Sequence, residues 1–121
     1  MNVFDASALL AYLKGEAGAL AVEQVLENGG ACSAANWSEV AQKIRSRGRN
    51  WTLARALLLG HHLVVEPVTA PDAEWAAARW QPGEGLSMGD RLCLALGHRM
   101  DADIWTADVA WGSAGRIRQI R

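Results

Sequence analysis

The sequence lacks the features that define several large protein classes. No apolar run approaches the roughly 18 residues that a membrane-spanning helix needs, so we expect no transmembrane helix and no membrane contact. The first residues, Met1–Asp5, show no basic segment followed by a long apolar core, and we expect no signal peptide. The two cysteines, Cys32 and Cys93, form neither a disulfide framework nor a zinc-binding spacing. This cysteine usage is typical of proteins in the reducing cytoplasm, which is the expected location.

What is present is typical of one globular domain, residues 1–121. The 121 residues are 50% hydrophobic and 21% charged. The net charge of −1 hides a segregated distribution, because residues 40–65 carry five cations and no acid, and residues 109–121 carry three arginines. The segments before and between these two are acidic. Such a chain can attract a polyanion to one face and a cation to another.

Apolar periodicity and turn residues predict strands that alternate with helices. The predicted strands are short and apolar, at residues 3–4, 31–34, 63–65, 103–106 and 117–120. The predicted helices cover residues 6–14, 17–27, 36–46, 51–59, 71–80 and 88–100, with one short turn at 108–111. Asn36, with Glu39 three residues later, matches a capping box, and Ser87 is the predicted cap of the last helix. This order predicts an α/β fold with a short parallel sheet of about four to five strands, covered by helices on both faces.

Four acids occupy the positions where an open parallel sheet binds ligands, after a strand or in the first turn of a helix. They are Asp5, Glu39, Asp90 and Asp108. Each has a structural explanation when taken alone, because acids complement helix N-termini and aspartates form turns. Three of them, however, lie among apolar residues, where a charge is costly unless it is compensated. A divalent cation held by carboxylate oxygens would compensate them together.

The segments around these acids resemble a known family. The sequence is similar, over essentially its whole length, to PIN-domain ribonucleases of the VapC type, the toxin half of bacterial toxin–antitoxin pairs. The matching segments are, in chain order, Phe4–Leu10, Ala34–Val40, Leu86–Ala95 and Ile104–Asp108. The resemblance implies a PIN-like three-layer α/β/α fold.

The resemblance also implies a chemistry and a set of partners. The four acids would bind Mg²⁺ or Mn²⁺, as one ion or two, for metal-assisted hydrolysis of RNA phosphodiester bonds. Ser7 and Thr106 would orient Asp5 and Asp108. The implied substrate is a structured RNA such as tRNA. The implied partners are a second copy of the chain and an antitoxin that covers the acidic cleft, with promoter DNA bound only through the antitoxin.

Two assignments stay open from the sequence alone. Asp101 and Asp103 stand close to Asp108, which ranks first as the fourth acid because it follows the strand-end residues Thr106-Ala107. The Gly-rich residues 111–115 leave a final helix undecided. Three tryptophans are candidates for a partner surface or equally for the core: Trp51, Trp75 and Trp80.

The cationic stretch begins on the same predicted helix as Glu39. Glu39 and Lys43 are four residues apart and share a helix face, which places positive charge beside the acids. The stretch predicts contact with RNA phosphates, a dock for an acidic part of the antitoxin, or only a solvated face. Its cations are Lys43, Arg45, Arg47, Arg49 and Arg55.

Two other functions compete with the endoribonuclease. A non-catalytic, cation-binding module of the receiver type also places aspartates at strand ends. It would need a lysine after a late strand, and the only lysines are Lys14 and Lys43. The second alternative is a PIN scaffold that has lost activity, against which the presence of all four acids argues.

Overall fold

A computed structural model describes all of residues 1–121 and shows strands alternating with helices in the predicted order. The strands are β1 (Asn2–Phe4), β2 (Gly30–Ser33), β3 (Leu63–Glu66), β4 (Asp103–Thr106) and β5 (Ile117–Gln119). The α-helices are α1 (Ala6–Lys14), α2 (Ala19–Leu26), α3 (Ala34–Ser46), α4 (Trp51–Gly60), α5 (Ala70–Arg79) and α6 (Met88–Met100). The Gly-rich end forms no further α-helix, and the 3₁₀ turn Val109–Trp111 is the one helical segment between β4 and β5. None of the helices combines the length and the apolar composition that crossing a bilayer requires.

The five strands form one parallel sheet in the order β3-β2-β1-β4-β5. The central strand β1 pairs with β2 through Val3 opposite Ala31, and with β4 through Phe4 opposite Trp105. Because the carboxyl ends of parallel strands meet at one edge, the residues after β1, β2 and β4 lie at the same edge of the sheet. The strand order differs from the 2-1-3-4-5 order of flavodoxin-like receivers, so the receiver alternative does not fit.

The sheet separates two apolar cores, because successive side chains of a strand point to opposite faces. Phe4 belongs to the core that α1, α2, α3 and α4 build on one face. Val3 belongs to the second core, which includes Leu96 of α6 and is flanked by Trp75 of α5. The predicted three-layer α/β/α arrangement is therefore confirmed.

Two helix starts differ from the prediction. Helix α3 begins one turn early, because Ser33 is its N-cap and accepts a hydrogen bond from the Ala35 N–H at 3.2 Å. The capping role predicted for Asn36 is wrong, since Asn36 is buried within the first turn of α3. Helix α2 begins late, at Ala19, because Gly18 precedes it with a left-handed φ of 92°. Ser87 caps α6 as predicted.

The cysteines and two of the three selected tryptophans belong to the packed interior or its margin. Cys32 and Cys93 are buried and form no disulfide. Trp51 packs edge-on against Trp37, with ring centroids 5.0 Å apart. Trp75 stacks on His98 with a centroid separation of 5.2 Å. The exposed member of the three is Trp80.

Candidate active site

Asp5 is the one residue between β1 and α1, and its carboxylate is held from three sides. Its Oδ1 caps α1 by accepting a hydrogen bond from the Ala8 N–H at 2.8 Å. Ser7 Oγ donates to Asp5 Oδ1 at 2.7 Å, and Thr106 Oγ1 donates to Oδ2 at 2.6 Å. Asp5 is only 4% exposed, and this burial raises its pKa to about 6 although the hydrogen bonds oppose the shift. Ionised Asp5 is therefore a charge that the protein alone compensates incompletely.

The two hydroxyls on Asp5 are oriented by the backbone after β4. Ser7 Oγ accepts a hydrogen bond from the Ala107 N–H at 2.9 Å, and Thr106 Oγ1 accepts one from the Asp108 N–H at 3.0 Å. Each hydroxyl has one proton, so accepting from the backbone leaves that proton for the carboxylate. Thr106 therefore contacts the carboxylate of Asp5 and the backbone N–H of Asp108.

Glu39 extends from α3 to the first turn of α6. Asn36 Nδ2 donates to Glu39 Oε1 at 2.8 Å and to the carbonyl oxygen of Gly89 at 3.2 Å. A Cβ atom on Gly89 would lie 2.6 Å from Glu39 Oε1, so the carboxylate occupies space that a side chain would fill. Neither Asn36 nor Gly89 is among the site residues predicted from the sequence. The available signal was a glycine beside an acid at the start of a buried helix.

Asp90 begins α6 in a capping box with Ser87. The Asp90 N–H donates to Ser87 Oγ at 3.1 Å, and the Ser87 N–H donates to Asp90 Oδ2 at 3.0 Å. This arrangement fixes one oxygen of the carboxylate and leaves Oδ1 free of protein partners.

The thiol of Cys93, on α6, shows that three of the predicted acids lie together. Burial raises the pKa of Cys93 well above its usual value, and the charges of Asp5, Asp90 and Glu39 raise it further. The charge of Asp90 also contributes to the raised pKa of Asp5. The structure thus gathers Asp5, Glu39 and Asp90 around the first turns of α6.

Asp108 lies on the solvent-exposed side of this group. Its Oδ1 accepts a hydrogen bond from the Ala110 N–H at 2.9 Å and caps the 3₁₀ turn. Asp108 and Ser7 line a cavity of about 270 Å³. The same cavity is lined by three cations, Lys14, Lys43 and Arg121. Lys14 and Arg121 are not among the predicted site residues, and the fold brings them here from the end of α1 and from beyond β5.

The other two aspartates near the end of the chain lie at the opposite edge of the sheet. Asp101 ends α6 and pairs with Arg116, and Asp103 begins β4 and pairs with Arg118 at 3.3 Å. Both lie at the amino end of β4, whereas the acid group lies beyond its carboxyl end. Asp108 is therefore the one of these three aspartates that the fold places beside Ser7.

The cations of the stretch after Glu39 are exposed and make no ion pair. The five side chains also donate no hydrogen bond to the protein, which leaves them available to an external anion. They are Lys43, Arg45, Arg47, Arg49 and Arg55.

Residues 3–116 match the family model of the PIN domain. The chain belongs to the PIN domain family. The match covers all four acids and both hydroxyls, and it confirms the PIN fold expected from the sequence.

Two solved structures are similar to this PIN domain. One is a toxin–antitoxin complex from Klebsiella pneumoniae, with a TM-score of 0.78 and 18% identity over 100% of this chain and 98% of that chain. The other is VapC20 from Mycobacterium tuberculosis, described as a toxin that cleaves the sarcin-ricin loop, with a TM-score of 0.74 and 19% identity over 95% of each chain. At these identities the similarity establishes a shared fold. Comparison with curated proteins finds no match.

The acids of this PIN domain fit a hard divalent cation by donor type. No group of three or more His, Cys, Asp or Glu side chains is closed around a single point. Three carboxylates nevertheless keep one oxygen without a protein partner: Glu39 Oε2, Asp90 Oδ1 and Asp108 Oδ2. Carboxylate oxygens are the ligands that Mg²⁺ and Mn²⁺ prefer, and a cation would relieve the repulsion that contributes to the raised pKa of Asp5.

Proposed function

We propose that this PIN domain is a metal-dependent endoribonuclease of the VapC toxin type, which hydrolyses RNA phosphodiester bonds in the cytoplasm. The observation that carries the proposal is the buried Asp5, which is held by Ser7 and Thr106 and whose pKa the charge of Asp90 helps to raise. Burying an acid near another carboxylate is unfavourable for the protein alone and is understandable at a cation site. The two structural neighbours, both described as toxins or toxin complexes, support the assignment.

Each acid has a part in the proposed reaction. Asp5, Glu39, Asp90 and Asp108 would hold Mg²⁺ or Mn²⁺, which when bound polarises a phosphate and activates water. Asp5 acts from a fixed position, because both of its oxygens accept hydrogen bonds from oriented hydroxyls. The other three carboxylates each offer a free oxygen, which allows the group to bind one ion or two.

The cations beside the acids account for the attraction of a polyanion to an acidic centre. Lys43 lines the cavity of Asp108 and also begins the exposed cationic stretch of α3. The cavity cations can bind the phosphate next to the cleaved bond, and the stretch from Lys43 to Arg55 can bind phosphates further along the RNA. Structured RNA such as tRNA is the proposed substrate class.

An apolar groove between α1 and α4 supports the proposed antitoxin partner. The groove has a volume of about 320 Å³, and Leu53 and Leu57 on its wall are 67% and 47% exposed. Lys14 and Arg49 border it, so an apolar segment carrying acidic residues is complementary to it. We assign antitoxin binding to this groove rather than to the surface around the exposed Trp80. A homodimer, and contact with promoter DNA through the antitoxin alone, belong to the same proposal.

The proposal is tested by RNA cleavage with purified protein. Total cellular RNA is incubated with the wild-type chain in Mn²⁺, in EDTA, and in EDTA followed by excess Mn²⁺. We expect cleavage that disappears in EDTA and returns with Mn²⁺, and that Asp90→Asn abolishes. The amide oxygen of Asn can still accept from the Ser87 N–H, so this variant keeps the cap of α6. Asp101→Asn, at the opposite edge of the sheet, is the matched control and should cleave normally.

Two results would contradict the proposal in different ways. Cleavage that persists in EDTA and in Asp90→Asn rejects the metal mechanism. No cleavage of any cellular RNA by the folded wild-type chain favours the inactive PIN scaffold. Sequencing of RNA 5′ ends after brief induction in cells then identifies the substrate and the cleaved bond.

A further inference from the structure

Glu39 differs from the other acids in how it reaches the site. Asp5 and Asp90 are short side chains whose carboxylates are fixed by backbone N–H groups. Glu39 has a longer, more flexible side chain on another helix, and it accepts no hydrogen bond from the backbone. Its contacts are with the side chain of Asn36 and with the backbone of Gly89.

Asn36 is buried although one of its two polar side-chain atoms has no hydrogen-bond partner. The residue is 1% exposed, and its Oδ1 is buried without a hydrogen-bond partner. Leaving a buried acceptor unsatisfied is unfavourable, because its hydrogen bonds to water are lost and not replaced. The orientation of the amide is determined, because Glu39 Oε1 and the Gly89 carbonyl oxygen are both acceptors that require the Nδ2 donor. The orphaned Oδ1 therefore follows from directing Nδ2 at Glu39.

The backbone conformation at position 89 does not require glycine. It lies within α6 and is not among the residues with positive φ, so an alanine would fit the helix. Alanine is a better helix former than glycine. The feature that an alanine would disturb is Glu39, because the added Cβ would lie 2.6 Å from Oε1.

We propose that Asn36 and Gly89 are positioning residues that orient the Glu39 carboxylate so that it can bind a divalent cation. Asn36 holds Oε1 and leaves Oε2 for the ion, and Gly89 leaves the space in which the carboxylate lies. The inference rests on the proposed function, since it assumes that Glu39 binds the cation. A purely structural role, in which Asn36 only ties α3 to α6, makes different predictions for binding and for stability.

The test measures Mn²⁺ binding without RNA, from the electron paramagnetic resonance signal of free Mn²⁺ titrated with protein. We expect Gly89→Ala and Asn36→Ala each to weaken Mn²⁺ binding by about 10- to 100-fold, the range typical of residues that orient ligands. Gly60→Ala is the matched control, because Gly60 also lies in a helix and a Cβ there meets nothing within 4 Å. It should bind Mn²⁺ like the wild type. In EDTA, Gly89→Ala should unfold at the same temperature as the wild type or higher.

A double-mutant cycle with Glu39→Gln separates positioning from structure. If Asn36 acts through Glu39, then Asn36→Ala weakens Mn²⁺ binding in the wild type and adds no further loss to Glu39→Gln. Wild-type Mn²⁺ affinity in Gly89→Ala and Asn36→Ala, with reduced affinity in Glu39→Gln, overturns the positioning inference and leaves the proposed function standing. A wild-type chain that binds no Mn²⁺ overturns the metal site and the inference together. Should Asn36→Ala fail to fold, Gly89→Ala carries the test alone.

Discussion

The hydroxyl of Thr106 and the carboxylate of Asp5 join the ends of two neighbouring central strands by a hydrogen bond of 2.6 Å between Oγ1 and Oδ2. The two residues are 101 positions apart in the sequence, so this contact exists only in the folded chain. The same hydroxyl accepts from the Asp108 N–H and thus links two of the four acids.

Replacing Thr106 should affect stability and the charge of Asp5 together. Thr106→Val keeps the shape but removes the donor to Asp5 and the acceptor for the Asp108 N–H. We expect a loss of about 1–3 kcal/mol in the free energy of unfolding, and a further rise in the pKa of Asp5, because the hydrogen bond from Thr106 lowers it. Thr106→Ser retains the hydroxyl and should lie close to the wild type. A loss in Thr106→Ser with none in Thr106→Val, measured by urea unfolding, would show that the methyl group rather than the hydroxyl matters.

The raised pKa of Asp5 predicts an unusual dependence of stability on pH. Burial moves this pKa from 3.8 to about 6 in the folded chain. Between these values the folded chain keeps a proton that the unfolded chain has released, so the free energy of unfolding falls as pH rises across this window. The difference between a pKa of 3.8 in the unfolded chain and about 6 in the folded chain corresponds to a fall of about 3 kcal/mol. Urea unfolding in EDTA from pH 4 to pH 7 should show this fall in the wild type relative to Asp5→Asn, and parallel curves for the two proteins would contradict it.

The exposed cations of α3 and the following turn should contribute to RNA binding through charge. The measurement is RNA affinity against salt concentration, in the Asp90→Asn background so that the RNA stays intact. Replacing Arg45, Arg47 and Arg49 with alanine should reduce the slope of log affinity against log salt by about 0.7 for each phosphate that the protein no longer neutralises. A control with the same charge change replaces Arg79, Arg116 and Arg118, which are paired with acids. If both triple variants keep the wild-type slope and affinity, the stretch is a solvated face or an antitoxin dock.

The ion pair between Asp72 and Arg99 is expected to stabilise the fold far from the acids. Burial alone would raise the pKa of Asp72, but hydrogen bonds from Arg99 and Thr69 outweigh it and hold the pKa below its usual value. Asp72→Asn should therefore lower the free energy of unfolding by about 1–3 kcal/mol at neutral pH. This contribution is lost as pH falls below about 4, through the depressed pKa. Glu84→Gln, in a solvent-exposed pair with Arg79, should have a smaller effect in the same denaturation experiment.

The element order could be predicted because its signals are local. Ser87 with Asp90 and the apolar helix after them specify the start of α6, and the structure shows that cap. Asn36 and Glu39 have the same three-residue spacing as a capping box, but in the structure they form a side-chain hydrogen bond within the helix. Two side chains three residues apart also touch within a helix, and α3 begins at Ala34, so Asn36 already lies inside its first turn. A capping box and an intrahelical contact share a spacing, so the sequence alone does not separate them.

The contacts that assemble the site could not be read from the sequence, because they join distant parts of the chain. The four acids could be selected from their apolar surroundings and from the family resemblance. Their assembly depends on strand order, which places β1 next to β4 and brings Thr106 to Asp5. The approach of Gly89 to Glu39 and the entry of Arg121 into the cavity of Asp108 likewise depend on tertiary packing.

The space at Gly89 that Glu39 occupies has a consequence for genetics. Every single-base missense change of a glycine codon adds a side chain, and in this helix the addition disturbs an acid while leaving the core packed. Under the proposed toxin function, cells forced to express the wild-type coding sequence survive only by losing the toxicity. Survivors with missense changes at position 89 should contain abundant, folded protein, unlike those with nonsense or core mutations. Glycine at this position would then be maintained by selection for activity rather than for folding.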